Sequence, residues 1–526
     1  MSESKKSHQA SRPIEASLEI SRAEMHELSS SVTQLVTEYF SEVSNLPVFP
    51  ETRGGDTIAK IGSTLPLAGQ PLEELLDDCR TIIANSRHNG HPRFFGYVAS
   101  PATPPGAFAD LIASALNANQ TSWRSGPAAT EIERTVINWL AELIGYASGD
   151  HGDYPSHGLL TSGGSMANLT ALLMAHRAKS EPDVASTGLW NSGAPMTIYA
   201  SDQIHMSIPK AADILGLGRA QVRLVPCDDR FRMNLAVLRE TIAGDLESRL
   251  KPFCVVGSAG TVNTGAVDPL DEIADVAKEF NLWFHIDGAY GALAALDETK
   301  RPLFRGLERA DSISLDPHKW LYVPIDSGCL LFRDEARARA AFSFDGADYI
   351  KVHEQNEAEA FAFWNYGPEL SRRFRALKIW LTLRYYGARR IAGTIAEDNS
   401  IAAYLGQQVE AATDFELLAA PELSICCFRY VPPAFQARLQ ADDETAQAAA
   451  NAELDQLNTQ IMNAVQRGGR AYLSSATIRG KFALRACITN FRTTRADIDQ
   501  TLEIIHEAAR RLNKESRSDQ GHLDHS

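Results

Sequence analysis

The sequence predicts an α/β protein whose main lobe is built around a mostly parallel, buried β-sheet. Between Gly145 and Arg333, short apolar runs that are typical of strands alternate with segments of helical periodicity. Repeated strand and helix units of this kind indicate a parallel sheet that is covered by helices. A chain of 526 residues also exceeds what one hydrophobic core usually supports, so we expect two or three lobes.

The composition is that of an acidic globular enzyme. Hydrophobic residues make up 44% of the chain and charged residues 22%, which argues against disorder or a fibrous structure. The formal net charge is −15. Because non-specific affinity for nucleic acid comes mainly from Lys and Arg, this charge argues against a nucleic-acid partner.

The first residues and the cysteines predict a cytoplasmic protein without a metal centre. The N-terminus is polar and lacks the apolar stretch of a secretory signal, and no run of about 18 apolar residues predicts a membrane span. The seven cysteines are odd in number, scattered, and without CxxC spacing. This pattern favours a reducing compartment and disfavours a metal site.

The two ends of the chain are polar, and helices are predicted next to the first. Residues 1–14 and 514–526 contain few large apolar residues and predict disordered tails. Over residues 14–43 apolar residues recur at helical spacing, which predicts one or two amphipathic helices. We place these helices in an N-terminal helical segment, residues 15–95.

A large and a small domain follow this segment. The strand and helix units predict a large domain over residues 96–390. A long predicted helix that begins near Arg372 leads into a small C-terminal α+β domain, residues 391–513. Its strands are predicted in LSICCFRYV and FALRACITN.

The first motif with chemical meaning is TSGGSMANLT, where a predicted strand ends and a helix begins. Helix N-termini expose unpaired N–H groups with positive dipole character, and Gly163 and Gly164 allow an anion to approach the backbone closely. A phosphate suits such a turn. By itself, the motif is also consistent with a simple helix start that is capped by Ser165.

The second motif, WFHIDGAYG, ends a predicted buried strand with Asp287. An acid in apolar surroundings needs a cationic partner or several hydrogen-bond donors. One interpretation is an ion pair with a protonated ring nitrogen, which keeps the ring positive so that it accepts electrons. The other interpretation is a structural carboxylate.

Lys319 and His205 follow two further predicted strands, in SLDPHKWL and SDQIH. Partial burial depresses the pKa of a lysine, which favours imine formation, so Lys319 is a candidate Schiff-base residue. The imidazole of His205 suits stacking on a flat ring or polarising a carboxylate. Each residue taken alone is also consistent with an ordinary surface lysine or a structural histidine.

Eight motifs then occur in the order in which a known family carries them: HPRFFGYV, GPAATEIE, TSGGSMANLTALL, SDQIH, GTVNTGAVDPL, HIDGAYG, DPHKWL and LSRRFRALKIW. Together they resemble the group II pyridoxal-phosphate-dependent decarboxylases. That family includes decarboxylases of aromatic amino acids, histidine, glutamate and cysteine sulfinate. The resemblance runs from about residue 60 to about residue 510.

The resemblance implies a role for each matching residue in binding pyridoxal 5'-phosphate. Lys319 corresponds to the Schiff-base lysine, Asp287 to the partner of the pyridine nitrogen, and His205 to the residue that stacks on the ring. The remaining cofactor-binding positions are the phosphate-binding and ring-lining ones, Gly164, Ser165, Thr261, Ala289, Asp316 and His318. Asp316 departs from the pattern, because this position is often Asn in aromatic-amino-acid decarboxylases and a carboxylate repels a phosphate unless it is otherwise paired.

A loop before LSRRFRALK matches the mobile loop of the family, which closes over the site and presents a tyrosine. The corresponding segment here is GADYIKVHEQNEAEAFAFWNYG. The resemblance implies that Tyr349 returns a proton after carbon dioxide has left. The alternative is a surface tyrosine that anchors the loop.

The resemblance further implies a fold-type I architecture and an obligate homodimer with its active sites at the interface. The expected activity is decarboxylation of an L-amino acid to a primary amine. Two other classes stay open: another pyridoxal-phosphate reaction, such as transamination or oxidative deamination to an aldehyde, and a non-catalytic cofactor-binding protein. The presence of both His205 and Tyr349 favours the decarboxylase.

Substrate preference is predicted from four positions that match the pocket of aromatic-amino-acid decarboxylases: Tyr97, Ser100, Asn119 and Thr121. Several apolar positions of that pocket are here Val98, Asn119 and Thr121, which makes the pocket more polar. An aromatic L-amino acid is the leading prediction, and a small or acidic amino acid is the alternative.

Overall fold

The computed structural model describes residues 18–146, 156–181, 184–189, 193–343, 356 and 359–523, with side chains described as far as residue 513. The chain divides into two compact units. The first is Met1–Leu46 with Pro50–Arg87, and the second is Pro47–Phe49 with His88–Ser526. The predicted N-terminal segment, residues 15–95, stays a prediction.

Eleven strands and seventeen α-helices are assigned within the described residues. The strands are β1 His157–Thr161, β2 Met196–Ser201, β3 Val222–Val225, β4 Lys251–Ser258, β5 Trp283–Asp287, β6 Ser312–Leu315, β7 Gly328–Phe332, β8 Phe415–Ala419, β9 Ile425–Tyr430, β10 Ser474–Ile478 and β11 Lys481–Cys487. The helices are α1 Arg22–Glu42, α2 Asp56–Ile61, α3 Leu72–Ala84, α4 Pro104–Leu116, α5 Pro127–Ile144, α6 Gly164–Lys179, α7 Val184–Thr187, α8 Ser207–Ile214, α9 Leu235–Glu247, α10 Leu270–Glu279, α11 Pro317–Trp320, α12 Glu335–Phe342, α13 Ala376–Tyr386, α14 Ala388–Ala411, α15 Pro433–Leu439, α16 Glu444–Arg467 and α17 Arg495–Leu523.

The large sheet has seven strands in the order β1-β7-β6-β5-β4-β2-β3. Strands β3, β2, β4, β5 and β6 pair in parallel, while β7 is antiparallel to both of its neighbours. The predicted α/β class with a mostly parallel sheet is therefore confirmed. Because β1 runs in the same direction as β6, the carboxyl ends of six strands lie at one edge of the sheet.

The apolar runs of the sequence correspond to the central strands of this sheet. All residues of β2, β5 and β6 are buried, as expected for strands that are covered on both faces. The sequence analysis missed β3, a short edge strand in which Arg223 and Leu224 are not buried. It also missed β7, which is apolar and buried but reverses the direction of the sheet.

The small C-terminal sheet has four antiparallel strands in the order β10-β11-β9-β8. The two predicted strands correspond to β9 and β11, which pair directly with each other. Helices α14, α16 and α17 contribute buried apolar residues to the core beside this sheet, including Ile401, Ile461 and Ile505. An α+β arrangement of this kind agrees with the sequence prediction for the C-terminal part.

The predicted N-terminal helix is present as α1, and the last helix extends further than the sequence predicts. Helix α1 begins at Ser21, whose hydroxyl accepts a hydrogen bond from the backbone of Glu24 while the Glu24 side chain accepts one from the backbone of Ser21. Helix α17 continues to Leu523 and crosses the predicted start of the C-terminal tail at residue 514. No proline follows Arg495 to end this helix.

Buried ion pairs fix the segment that leads into α13. Arg372 donates to Glu133 of α5 at 2.6 Å and to the carbonyl of Leu160 in β1 at 2.7 Å, with both charged side chains almost wholly buried. Lys378, which is fully buried, pairs with Asp110 of α4 at 3.1 Å. Removing one partner of a buried pair leaves an uncompensated charge and typically costs about 3–5 kcal/mol. These pairs therefore hold α4, α5 and α13 beside the sheet.

Candidate active site

A cavity of about 770 Å³ opens at the edge of the large sheet where the parallel strands end. Ligand sites in open α/β sheets lie at this edge, outside the carboxyl ends of the strands. Ten residues that the sequence analysis singled out line the cavity: Tyr97, Gly164, Ser165, His205, Thr261, Asp287, Ala289, Asp316, His318 and Lys319. The four motifs that were identified separately therefore meet in one place.

Asp287 lies at the end of β5 and is 7% exposed. Its carboxylate accepts hydrogen bonds from the side chains of Asn168 at 3.0 Å and Ser314 at 3.2 Å, and from the backbone N–H of Ala289 at 3.2 Å. Three donors are what a buried ionised acid requires. The arrangement therefore satisfies a buried carboxylate at the wall of the cavity.

Asn168 links this carboxylate directly to His285 and, through Ser207, to His205. Its amide oxygen contacts Nε2 of His285 at 3.0 Å, and its amide nitrogen donates to Asp287 and also to the hydroxyl of Ser207 at 2.9 Å. Burial lowers the pKa of His285, so the ring is neutral and donates its Nε2–H to the amide oxygen. The sequence analysis did not single out Asn168, although its position four residues after Gly164 puts both on one face of α6.

His205 is oriented by the same network. Its Nδ1 lies 2.8 Å from the hydroxyl of Ser207 and 3.2 Å from the backbone nitrogen of Ser207. Because a backbone N–H donates only, Nδ1 is the acceptor, and in the neutral ring the proton lies on Nε2. The ring that lines the cavity thus has one assigned tautomer and a fixed position.

Lys319 lies in the short helix α11, which follows β6. Its ammonium group is 2.9 Å from Oδ2 of Asp316, and its side chain is 18% exposed. His318 is held by the carbonyl of Ser327, which lies 2.6 Å from Nδ1. Burial lowers the pKa of His318, so this ring is neutral. The motif therefore places a lysine amine, a buried acid and a neutral imidazole in one turn.

The N-terminus of α6 forms another part of the cavity wall. Gly163 is the N-cap residue and Ser165 lies in the first turn, so Ser165 is not the capping residue that a simple helix start implies. A Cβ at Gly164 would lie 2.7 Å from Cβ of Ala289, and one at Gly328 would lie 2.5 Å from the backbone of Gly163. Glycine is required here because the backbones approach too closely for a side chain.

Arg485 enters the cavity from the small C-terminal sheet and was missed by the sequence analysis. Its guanidinium donates to the carbonyls of Val262, Asn263 and Tyr97. Nη2 of Arg485 is buried and has no hydrogen-bond partner among the described residues. A buried guanidinium nitrogen at a cavity wall is suited to bind a carboxylate.

Four predicted positions lie elsewhere. Ser100 does not line the cavity but donates to the carbonyl of His318 at 2.7 Å. Asn119 accepts a hydrogen bond from the backbone of Arg372, and Thr121 donates to Ser125. Tyr349 lies outside the described residues.

Comparison with known proteins identifies the family. The model of the pyridoxal-dependent decarboxylase conserved domain matches residues 55–431. The chain belongs to this family. An aromatic-L-amino-acid decarboxylase from Bacillus atrophaeus is 34% identical over 94% of this chain and 98% of its own length. The decarboxylase described here also shares its fold with two crystal structures.

The first structure is Oryza sativa TDC with PLP and tryptamine, which has a TM-score of 0.84 and 27% identity over 94% of this chain and 99% of that chain. The second is mouse CSAD, with a TM-score of 0.86 and 27% identity over 93% of this chain and 99% of that chain. These similarities confirm the fold-type I architecture. The protein is a pyridoxal-phosphate-dependent amino-acid decarboxylase.

The residues of the cavity fit this cofactor. The backbone N–H groups at the N-terminus of α6 would suit a phosphate, the carboxylate of Asp287 would suit a protonated ring nitrogen, and the amine of Lys319 would suit an aldehyde. No group of three or more His, Cys, Asp or Glu side chains in the described part of the chain is placed to hold a metal ion. Within the same residues, no helix is long and apolar enough to cross a membrane.

We expect Asp287→Asn to weaken cofactor binding and to lower kcat by roughly a hundredfold or more, because the ring nitrogen loses its counter-charge. Fluorescence titration of the apo-enzyme with pyridoxal phosphate and a steady-state assay measure the two effects. Ser314→Ala is the matched control, since it removes one donor to Asp287 but keeps the charge, and its effect should be much smaller. Wild-type values for Asp287→Asn would mean that the carboxylate is only structural.

Proposed function

We propose that this decarboxylase acts on an aromatic L-amino acid and releases the primary amine and carbon dioxide. The observation that carries the proposal is the pair of tyrosine rings in the cavity wall. The rings of Tyr97 and Tyr472 lie 6.1 Å apart at an interplanar angle of 39°, and their hydroxyls are 3.2 Å apart. Aromatic rings at such distances provide favourable contacts for another flat ring.

The backbone around Tyr97 supports a specific role for this ring. Tyr97 has a φ of +59°, which is uncommon for a bulky side chain. Arg485 donates to its carbonyl at 2.7 Å, and its own N–H donates to Ser474 at 3.3 Å. These bonds hold a sparsely populated conformation that directs the aromatic side chain to the cavity. The similarity to an aromatic-L-amino-acid decarboxylase over nearly the whole chain supports the same substrate class.

When bound, pyridoxal phosphate supplies a cationic ring that accepts the electron pair left by the departing carboxylate. Lys319 provides the amine that holds the cofactor, and Asp287 keeps the ring nitrogen protonated. Arg485 and His205 both line the cavity, where they bind and orient the substrate carboxylate. By holding the substrate carboxylate, Arg485 and His205 would select the bond to that carboxylate as the one that breaks.

Proton return is assigned to Tyr349, as the family resemblance implies. His205 is the alternative donor, since its Nε2–H belongs to a ring that lines the cavity. If proton return is slow, the electron-rich carbon becomes exposed to oxygen, and an aldehyde-forming reaction becomes the competing activity.

An acidic substrate is the second candidate, and Arg485 is the observation that favours it. The buried Nη2 of Arg485 could bind a side-chain carboxylate, and Ser474, Ser475 and Gln466 make the adjoining wall polar. Every amino-acid substrate carries an α-carboxylate, however. The single guanidinium of Arg485 can bind that group and therefore does not indicate a substrate with a side-chain carboxylate. The tyrosine pair therefore supports the aromatic class.

We further propose a cytoplasmic homodimer. Helix α1 leaves Met25, Leu28 and Val32 exposed, and α4 leaves Leu111 and Ile112 exposed. Exposed apolar side chains on helices are typical of surfaces that a partner covers. The pocket roles of Asn119 and Thr121 stay predictions, because Thr121 is buried within one chain and Asn119 accepts a hydrogen bond from Arg372.

An amine-product screen of the common amino acids, dopa, cysteine sulfinate and diaminobutyrate tests the substrate class. We expect kcat/KM for Phe, Tyr, Trp or dopa to exceed that for Glu or cysteine sulfinate by at least tenfold. Tyr97→Leu should reduce this ratio by roughly tenfold, whereas the control Tyr97→Phe keeps the ring and should preserve the ratio. A preference for the acidic substrates would contradict the proposal.

Tyr349→Phe removes one hydroxyl and keeps the ring. If Tyr349 returns the proton, the variant should still release carbon dioxide but should form less amine, with aldehyde, ammonia and peroxide in its place. Parallel assays of carbon dioxide, amine and peroxide measure the partition. Equal loss of carbon dioxide and amine would assign proton return to His205 or water.

A further inference from the structure

Asp316 is an acid in the part of the cavity where the cofactor phosphate is expected. It follows β6 directly, and its side chain is 4% exposed. Oδ2 lies 2.9 Å from the ammonium nitrogen of Lys319. Oδ1 is buried and has no hydrogen-bond partner within the described ranges. A Cβ at Gly164 would lie 3.0 Å from Oδ2, so the carboxylate lies against the first turn of α6.

The other titratable groups near Asp316 do not neutralise it. Nε2 of His318 is 3.8 Å from Oδ2, but burial lowers the pKa of His318 and leaves the ring uncharged. Cys329, on the neighbouring strand β7, has a pKa that burial raises, so it stays a neutral thiol. Lys378 acts on His318 but pairs with Asp110, so Lys319 is the cation in contact with the carboxylate of Asp316.

Cofactor binding disturbs this balance in two ways. An amine condenses with an aldehyde only in its neutral form, so Lys319 must give up a proton before it reacts. The phosphate also brings negative charge to the same end of the cavity. An ionised Asp316 would then be a buried charge without a cation and beside a second anion, which is strongly unfavourable.

We propose that Asp316 takes up a proton when the cofactor is loaded and remains a neutral acid beside the phosphate. In the first step, Lys319 ammonium and Asp316 carboxylate become a neutral amine and a carboxylic acid, so atoms and charge balance. The amine then condenses with the aldehyde and water leaves. The protonated acid donates a hydrogen bond through its hydroxyl, as the amide of an Asn at this position does. This inference does not depend on which amino acid is the substrate.

Counting protons during cofactor loading tests the proposal. Calorimetric titration of the apo-enzyme with pyridoxal phosphate, repeated in buffers of different ionisation enthalpy, gives the number of protons bound per site. The wild type should bind about one proton more than Asp316→Asn, which has no acid to protonate. Asp316 makes no side-chain cap bond to α11, so the substitution removes no such contact.

Asp326→Asn is the matched control, because Asp326 lies in the same connection between β6 and β7, pairs with Arg375 at 3.0 Å and does not line the cavity. It should bind the wild-type number of protons. Equal numbers of bound protons for wild type and Asp316→Asn would overturn the proposal. An equally lowered number of bound protons in Asp316→Asn and Asp326→Asn would overturn it as well.

Infrared difference spectroscopy on wild-type protein distinguishes Asp316 from the phosphate as the proton acceptor. With carbon-13 in the aspartate carboxyl groups, loading should produce an isotope-shifted band of a protonated carboxylic acid, and this band should be missing in Asp316→Asn. If the wild type binds more protons than Asp316→Asn but shows no such band, the proton belongs to the phosphate and the proposal is overturned. Because the band is sought in the wild type, the infrared experiment remains informative if Asp316→Asn folds poorly.

Discussion

A carboxylate buried at the end of β5 is the constraint on which the rest of the site depends. Burying Asp287 in apolar surroundings requires hydrogen-bond donors, and Asn168, Ser314 and the backbone of Ala289 supply them. Each donor comes from a different element, so α6, β6 and the turn after β5 must pack closely. The small residues at Gly164 and Ala289 permit this packing. The geometry that accommodates the cofactor is thus a consequence of stabilising one carboxylate.

Two cations of the cavity likewise need partners of opposite charge. Lys319 is balanced by Asp316, and the guanidinium of Arg485 is only partly satisfied by backbone carbonyls. A site whose charges are incompletely paired is ready to bind a ligand that carries complementary charge. Pyridoxal phosphate and an amino acid together bring a ring cation, a phosphate and a carboxylate. The charged groups of the cavity would therefore suit the groups that this cofactor and an amino acid carry.

Parallel topology explains which site residues the sequence could predict. Asp287, Lys319 and His205 each follow a predicted strand, and the carboxyl ends of parallel strands share one edge. Asn168 was missed because it lies inside a helix, where a single polar residue has no local signal. Arg485 was missed because it belongs to a separate antiparallel sheet, whose approach to the cavity depends on tertiary packing. The short edge strand β3 lacks enough apolar residues for its prediction, and Asn119, Thr121 and Tyr349 stay predictions.

Attachment of the cofactor to Lys319 is the central claim, and chemical trapping tests it most directly. Borohydride reduction of the holoenzyme makes the carbon–nitrogen bond between lysine and cofactor permanent, and proteolysis with mass spectrometry then locates it. The account predicts a pyridoxyl-phosphate adduct on the peptide that contains Lys319 and no adduct in Lys319→Ala. An adduct on a different lysine, or none in the wild type, would contradict the account.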